Sequence, residues 1–253
     1  MTEAGPAELV VSGRIMPASN ATFAGHIADV EVVYKPVAGE QPLWDFPDGC
    51  LAHREVAAYL VSEATGWDVV PRTWLQDGPM GPGMVQQWQD TDPEQEAVSL
   101  VAAGDMPEQG WCHVLDGIDA RDRAVSLIHE DSSALRRMAV FDVVTNNADR
   151  KGGHVLEMAD GHRHGIDHGL TFHAEHKLRT VLWGWLGQQL TEQECAGVQQ
   201  VRDALAGELG DRLVDLITDE EIEALDRRCD RLLRTGRFPA PRGRMPAVPW
   251  PPF

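Results

Sequence analysis

The sequence predicts an α+β protein of two lobes, a small strand-rich N-terminal lobe and a larger helical C-terminal lobe. Three observations predict it. Up to Trp88 the chain is dominated by short runs rich in Val, Ile and Tyr, with one helical pattern among them. Beyond Trp88, longer amphipathic patterns with helix-capping signals take over. Between the two lies a connector near Gln87 to Asp92, followed by the acidic, loop-like TDPEQEAV. The expected division is therefore 1–88 for the N-terminal lobe and 89–253 for the C-terminal lobe. The 253 residues are enough to give both lobes a core.

Each element has its own signal. ELVVSGRI, residues 8–15, reads as a short strand, and MPASNATF as a turn of small and polar residues. HIADVEVVYKP, from His26 to Pro36, has the Val and Tyr content of a second strand, so the two are expected to make a hairpin. VAGEQPLWDFPDG is a loop. From Cys50 to Trp67, Leu51, Val56, Tyr59, Leu60 and Ala64 fall at helical spacing, and Gly66 stands where the helix should stop. VVPRTWLQDGPMGPGMVQQW supplies two more strands about the turn DGPMGPG. The stretch that follows, to about Gln109, reads as partly helical. Ser132 and Ser133 are N-cap candidates for a helix with Leu135, Met138, Ala139 and Val143 on one face. HVLEMADGHRHGID reads as strand, turn, strand, bent at an Asp-Gly pair. TEQECAGVQQVRDALAGEL and TDEEIEALDRRCDRLLRTG are amphipathic helices, each opening on Thr and acidic residues as a helix N-terminus favours. The Pro-rich, basic tail RFPAPRGRMPAVPWPPF is extended, or wrapped on the body through Phe238, Trp250 and Phe253.

Composition narrows the function. Hydrophobic residues are 43% and charged residues 25% of the chain, ordinary for a globular protein. The formal net charge of -18 repels nucleic acid and anionic lipid, so neither is an expected partner. The N-terminus lacks a basic segment followed by an apolar one, and no run reaches the roughly 20 apolar residues of a membrane span. Cys50, Cys112, Cys195 and Cys229 are scattered, with no CxxC pair. Free thiols and a cytoplasmic location are expected.

Several residues stand out for chemistry. Lys35 ends a strand and Glu55 follows in a helix, the order in which an ion pair orients a phosphate-binding lysine. Taken alone, a lysine at a strand end is more often a solvated charge. The turn before this strand carries Ser19, Asn20 and Thr22, whose hydroxyls and backbone N–H groups could meet a phosphate, or which simply close a hairpin. Asp149 follows a helix and Asp167 follows a strand, at the two ends of the expected hairpin. One carboxylate so placed can orient a nucleophile and the other can hold a metal ion that bridges phosphates. Both are equally at home as turn residues. His162, His164, His168, His173 and His176 admit a zinc hydrolase with Asp167 as a further ligand, although no HExxH-type spacing supports it. Trp183 and Trp185 read as packing residues.

In combination, YKP at Lys35, REVAAYL at Glu55, NNADR at Asp149 and GIDHGLTF at Asp167 resemble the phosphatidylinositol 3-/4-kinase-like branch of the protein-kinase-like fold. The resemblance is to an actinobacterial group of that kind, with a more distant similarity to HipA-type kinases, and spans about residues 8 to 190. It implies that Lys35 contacts the nucleotide's phosphates and Glu55 holds Lys35. It implies that Gln86, Gln87 and Trp88 form the linker that meets adenine, that Asp149 is the catalytic-loop aspartate, and that Asp167 is the main metal ligand. Arg150 would balance charge near the phosphoryl group. Where the family has an asparagine as second metal ligand, this chain has His154, an imidazole that suits Mn²⁺ or Zn²⁺ better than Mg²⁺. The implied function is an ATP-dependent phosphotransferase using Mg²⁺ or Mn²⁺, with a protein or small-molecule hydroxyl as acceptor in preference to a lipid. The alternatives are a nucleotide-binding pseudokinase that acts as an interaction module, or an AMP transferase.

Overall fold

A computed structural model describes residues 8–16, 20–41, 43, 46, 50–243 and 245–253. The chain has the expected α+β class, with a strand-rich N-terminal part and a helical C-terminal part. Strands β1 (Leu9–Arg14), β2 (Phe23–Ile27), β3 (Val30–Pro36), β4 (Thr73–Gly78) and β5 (Gly81–Gln87) form one antiparallel sheet in the order β1-β2-β3-β5-β4. The expected single strand over His26–Pro36 is in fact two. Ala28 takes a left-handed conformation (φ +51°), and with Asp29 it turns the chain so that Ile27 pairs with Val30. Consequently β1 pairs with β2 and has no ladder with β3. Tight turns between strands of opposite direction need such positive φ values, and a non-glycine residue there gives little sequence signal.

Helix α1 (Leu51–Thr65) packs against β4 and β5. Its N-cap residue, Cys50, makes no side-chain cap. The carboxylate of Glu40 takes that place, accepting the N–H groups of Leu51 and Ala52 at 2.9 and 2.8 Å. It satisfies two otherwise orphan donors and sets a negative charge on the positive end of the helix dipole. At the other end Gly66 stops the helix at φ +69°, as its sequence position indicated.

The stretch to about Gln109, expected to be partly helical, holds a strand instead, and two further strands follow it. β6 (Val98–Ala102), β7 (Trp111–Ile118) and β8 (Ala124–Glu130) form an antiparallel sheet in the order β6-β8-β7. VSLVA, WCHVLDGI and AVSLIHE are rich in β-branched and alternating apolar residues, a composition that favours strands.

The C-terminal part is built on α2 (Ser133–Thr145), α3 (Glu192–Leu205), the short α4 (Glu208–Leu213) and α5 (Asp219–Thr235). Ser132 caps α2, and capping boxes Thr191–Glu194 and Thr218–Glu221 open α3 and α5. Leu135, Met138, Phe141 and Val144 of α2 pack with Val198 and Val201 of α3 and with Leu225 and Leu232 of α5. Each such side chain contributes about 1.5–3 kcal/mol on burial. Between α2 and α3 lies a short hairpin, β9 (Val155–Glu157) and β10 (Arg163–Gly165), bent at Gly161 (φ +86°) as expected.

Trp185 is buried and donates from Nε1 to Asp131, in keeping with a packing role. In the tail, Phe238 joins the core and Phe253 packs on Gly152, whereas Trp250 is 82% exposed and anchors nothing. Cys50, Cys112, Cys195 and Cys229 are free thiols. Among the described residues no helix is long and apolar enough to cross a membrane.

Candidate active site

Lys35 sits on β3, the central strand of the five-stranded sheet, and α1 carries Glu55 beneath it. The Lys35 Nζ donates to Glu55 Oε1 at 2.8 Å and also contacts Asp167. Asp167 lies two residues past β10, in a left-handed conformation (φ +58°). The second oxygen of Glu55 accepts the backbone N–H of His168 at 2.9 Å. One carboxylate therefore fixes both the lysine and the backbone beside Asp167. Burial works against the Lys35 charge, yet Asp167 and Glu55 prevail and hold its pKa above the ordinary lysine value. Lys35 in turn holds the Asp167 carboxyl well below the usual range, against the effect of its burial and with help from His154.

His154 ends a single 3₁₀ turn, and its Nε2 lies 3.5 Å from Asp167 Oδ2. Burial, the largest cause, pushes the His154 pKa down although Asp167 pulls it up. Its Nδ1 is enclosed without a hydrogen-bond partner among the described residues. Asp149 stands in the loop after α2, with its carboxylate 3.2 Å from Lys151 Nζ and its backbone N–H held by Asn147 Oδ1.

Asp167 offers a carboxylate, and His154 turns its Nε2 toward that carboxylate at 3.5 Å, so the pair fits a divalent ion by donor type and placement. Asp149 is not drawn into one cluster with them at metal-sharing distance among the described residues.

The loop that carries Asp149 is fastened by a buried centre the sequence reading missed. Asp142 of α2 is fully buried and accepts from the Arg150 guanidinium at 3.0–3.2 Å, from Asn147 Nδ2 at 3.0 Å and from Thr180 Oγ1 at 3.0 Å. Arg150 also donates to the carbonyls of His154 and Ile166 and lies 2.6 Å from His168 Nε2. This corrects the expectation for Arg150. Its guanidinium is entirely enclosed and taken up by these partners, so it shapes the loop and is closed off from solvent. A signal existed in the sequence, since Asp142 is a lone charge inside the apolar run MAVFDVVT, where only a paired carboxylate is tolerable.

The remaining expected residues fall as follows. Thr22 is buried and its hydroxyl donates to the Asn20 carbonyl, while the Asn20 side chain accepts from the Gln41 N–H. Ser19 lies outside the described residues. Gln86 and Gln87 are not linker but the end of β5: Gln86 is buried with its amide on Thr73 Oγ1, and the Gln87 N–H donates to Arg72. Trp88 begins the linker, with its N–H donating to the Glu31 carbonyl. Ladder pairing on both sides of β5 is the reason Gln86 belongs to the strand and not to the linker. His162 and His164 stand together with Asp68, away from Asp167; His168, His173 and His176 do not join that group.

Fold and site together define an α+β protein with a strand-rich N-terminal part and a helical C-terminal part, in which a lysine of β3, a glutamate of α1 and an aspartate just past β10 converge. The chain belongs to the family of Protein Rv2133c of Mycobacterium tuberculosis (strain ATCC 25618 / H37Rv), with which it is 49% identical over 259 residues, 97% of this chain and 92% of that one. No family model matches the chain. Among solved structures it is similar to the Helicobacter pylori proinflammatory kinase CtkA, with a TM-score of 0.48 and 10% identity, covering 92% of this chain and 93% of that one.

Proposed function

We propose that the chain is an ATP-dependent phosphotransferase of the atypical, phosphatidylinositol-kinase-like kind, which passes the γ-phosphoryl to a hydroxyl of a protein or small molecule. The observation that carries this reading is the meeting of Lys35, Glu55 and Asp167, which join β3, α1 and the end of the β9–β10 hairpin. Lys35, kept charged by its two carboxylates, binds phosphate oxygens. Glu55 keeps the lysine in place. Asp149, on a loop made rigid by Asp142, Asn147 and Arg150, orients the acceptor hydroxyl and takes its proton. Asp167 and His154 would hold Mg²⁺ or Mn²⁺, which supplies charge neutralisation on the phosphates. Adenine would lie against the linker that begins at Trp88, between lobes divided near residue 88.

The test follows label from [γ-³²P]ATP with Mg²⁺ or Mn²⁺ into the protein itself, into candidate acceptors and into free phosphate. Asp167→Asn should lower transfer by about 10²–10³-fold, the usual effect of removing one group that stabilises developing charge. Equal rates in wild type and Asp167→Asn would end the proposal. A second reading is favoured by the contact of Lys35 with Asp167 and by His154 beside it: a module that binds nucleotide without turning it over. It is supported if ATP binds and no label leaves the γ-position with either metal. Label transferred from the α-position would point instead to AMP transfer.

A further inference from the structure

We infer that Asp68, His162 and His164 form a second site, for a zinc-class divalent ion, which clamps the end of α1 to the β9–β10 hairpin. The three residues offer one donor atom each, and these atoms lie within 4.8 Å of one another. Their placement follows from local structure. His162 and His164 are two apart at the start of β10, so both rings fall on one side of the strand, with centroids 4.4 Å apart. Arg163 between them turns the other way and pairs with Glu130. Asp68 comes from the loop just after the Gly66 cap and is held in a left-handed turn (φ +54°). The two segments are already tied by the Gly165 N–H on the Val69 carbonyl at 2.7 Å.

The donors are prepared for a metal. The Nε2 of His162 lies 2.8 Å from the Asp68 carbonyl, which fixes that nitrogen as the N–H and leaves Nδ1 with its lone pair. A backbone carbonyl behind the imidazole is the usual outer support of a metal-bound histidine. His164 is 93% buried, and its Nδ1 is enclosed with no hydrogen-bond partner among the described residues. A buried polar nitrogen without a partner costs stability unless something binds it. Asp68 is exposed, so its side chain can rotate to bring the separations down to the roughly 3.3 Å between donors of a tetrahedral site. Two imidazoles and one carboxylate match zinc chemistry, and the exposed side leaves a fourth position for water.

Bound there, the ion would restrain the helix that carries Glu55 and the hairpin whose ends carry His154 and Asp167. The site lies outside the cleft and does not depend on the phosphotransferase reading.

The experiment is metal analysis of the full chain after equilibration with Zn²⁺ and removal of loose metal on a desalting column. Wild type should keep one more equivalent of zinc than Asp68→Asn, and Asp167→Asn should keep as much as wild type. Asp68 is exposed, so its variant folds whether or not the ion binds; His162→Gln should lose the same equivalent. Hydrogen exchange supplies the second readout. Zinc should slow amide exchange at residues 67–70 and 162–165 in wild type and leave Asp68→Asn unchanged. Equal zinc in wild type, Asp68→Asn and His162→Gln, or an equivalent lost through Asp167→Asn alone, overturns the inference.

Discussion

Glu55 holds His168 as firmly as it holds Lys35: one carboxylate oxygen accepts the lysine ammonium at 2.8 Å and the other accepts the His168 N–H at 2.9 Å. The helix α1 is thereby bonded at once to β3 and to the segment after β10. A shift of α1 would release the lysine and loosen the backbone of Asp167 together.

Glu55→Gln should separate position from charge. The amide oxygen can still accept from one partner, but the negative charge that keeps Lys35 ionised and in place is gone. We expect the variant to fold with a similar melting temperature and to lose about 10²-fold in kcat/KM for ATP. Unchanged ATP kinetics would refute the role of Glu55.

Asp142→Asn should be among the most damaging single substitutions. It leaves the buried Arg150 guanidinium without its carboxylate, a loss that usually costs about 3–5 kcal/mol. Urea denaturation measures it, and a loss below about 1 kcal/mol would show that Arg150 finds another partner.

Acid should destabilise the protein through its buried histidines. Burial, aided by Arg150, pushes His168 well below its ordinary value, and burial does the same for His129 and His154. Such rings bind fewer protons folded than unfolded. Their contribution is complete above about pH 6.5 and is lost as pH falls below it. Stability should therefore decline steadily from pH 7 to pH 5, before most carboxylates titrate. Replacing the enclosed His129 by Phe should flatten that decline; a parallel curve would exclude His129 as a contributor.

His154→Asn tests the second of the two proposed metal ligands. If the imidazole merely weakens Mg²⁺ binding, the amide oxygen should raise Mg²⁺-supported turnover and reduce any preference for Mn²⁺. A fall with both metals would mean that the imidazole has its own part in the chemistry.

Gly152→Ala should displace the C-terminal segment. A Cβ on Gly152 would stand 2.3 Å from the Phe253 ring, and the Gly152 N–H holds the Pro252 carbonyl. We expect faster trimming by carboxypeptidase with the core intact, and a stability cost of about 1–3 kcal/mol. Trimming at the wild-type rate would show that the ring simply moves aside.

What could be read in the sequence was local. The periodicity of Leu51–Ala64, the Gly66 stop, the Ser132 cap, the Thr-acidic openings of α3 and α5 and the Asp-Gly bend each depend on residues close together in the chain, and each is found in the structure. Lys35, Glu55 and Asp167 were readable by type and order, and the structure brings these three together. Long-range partners were not readable. Nothing near Cys50 shows that Glu40 caps α1 from eleven residues upstream, and nothing near Arg54 shows that Glu221 pairs with it at 2.7 Å. The β2 strand was missed because its turn uses Ala28 in place of a glycine. The β6–β8 sheet was missed because the acidic stretch before it obscured three short alternating runs.

Arg150 draws together the carbonyls of His154 and Ile166, and the Ile166 N–H closes on the same His154 carbonyl. The base of the β9–β10 hairpin is thus fastened like the neck of a drawstring bag. Its tip, at residues 158–161, can lengthen or shorten without parting His154 from Asp167. Across related chains, insertions and deletions should gather at that tip, while the spacings from Asp149 to His154 and from Ile166 to His168 should stay constant.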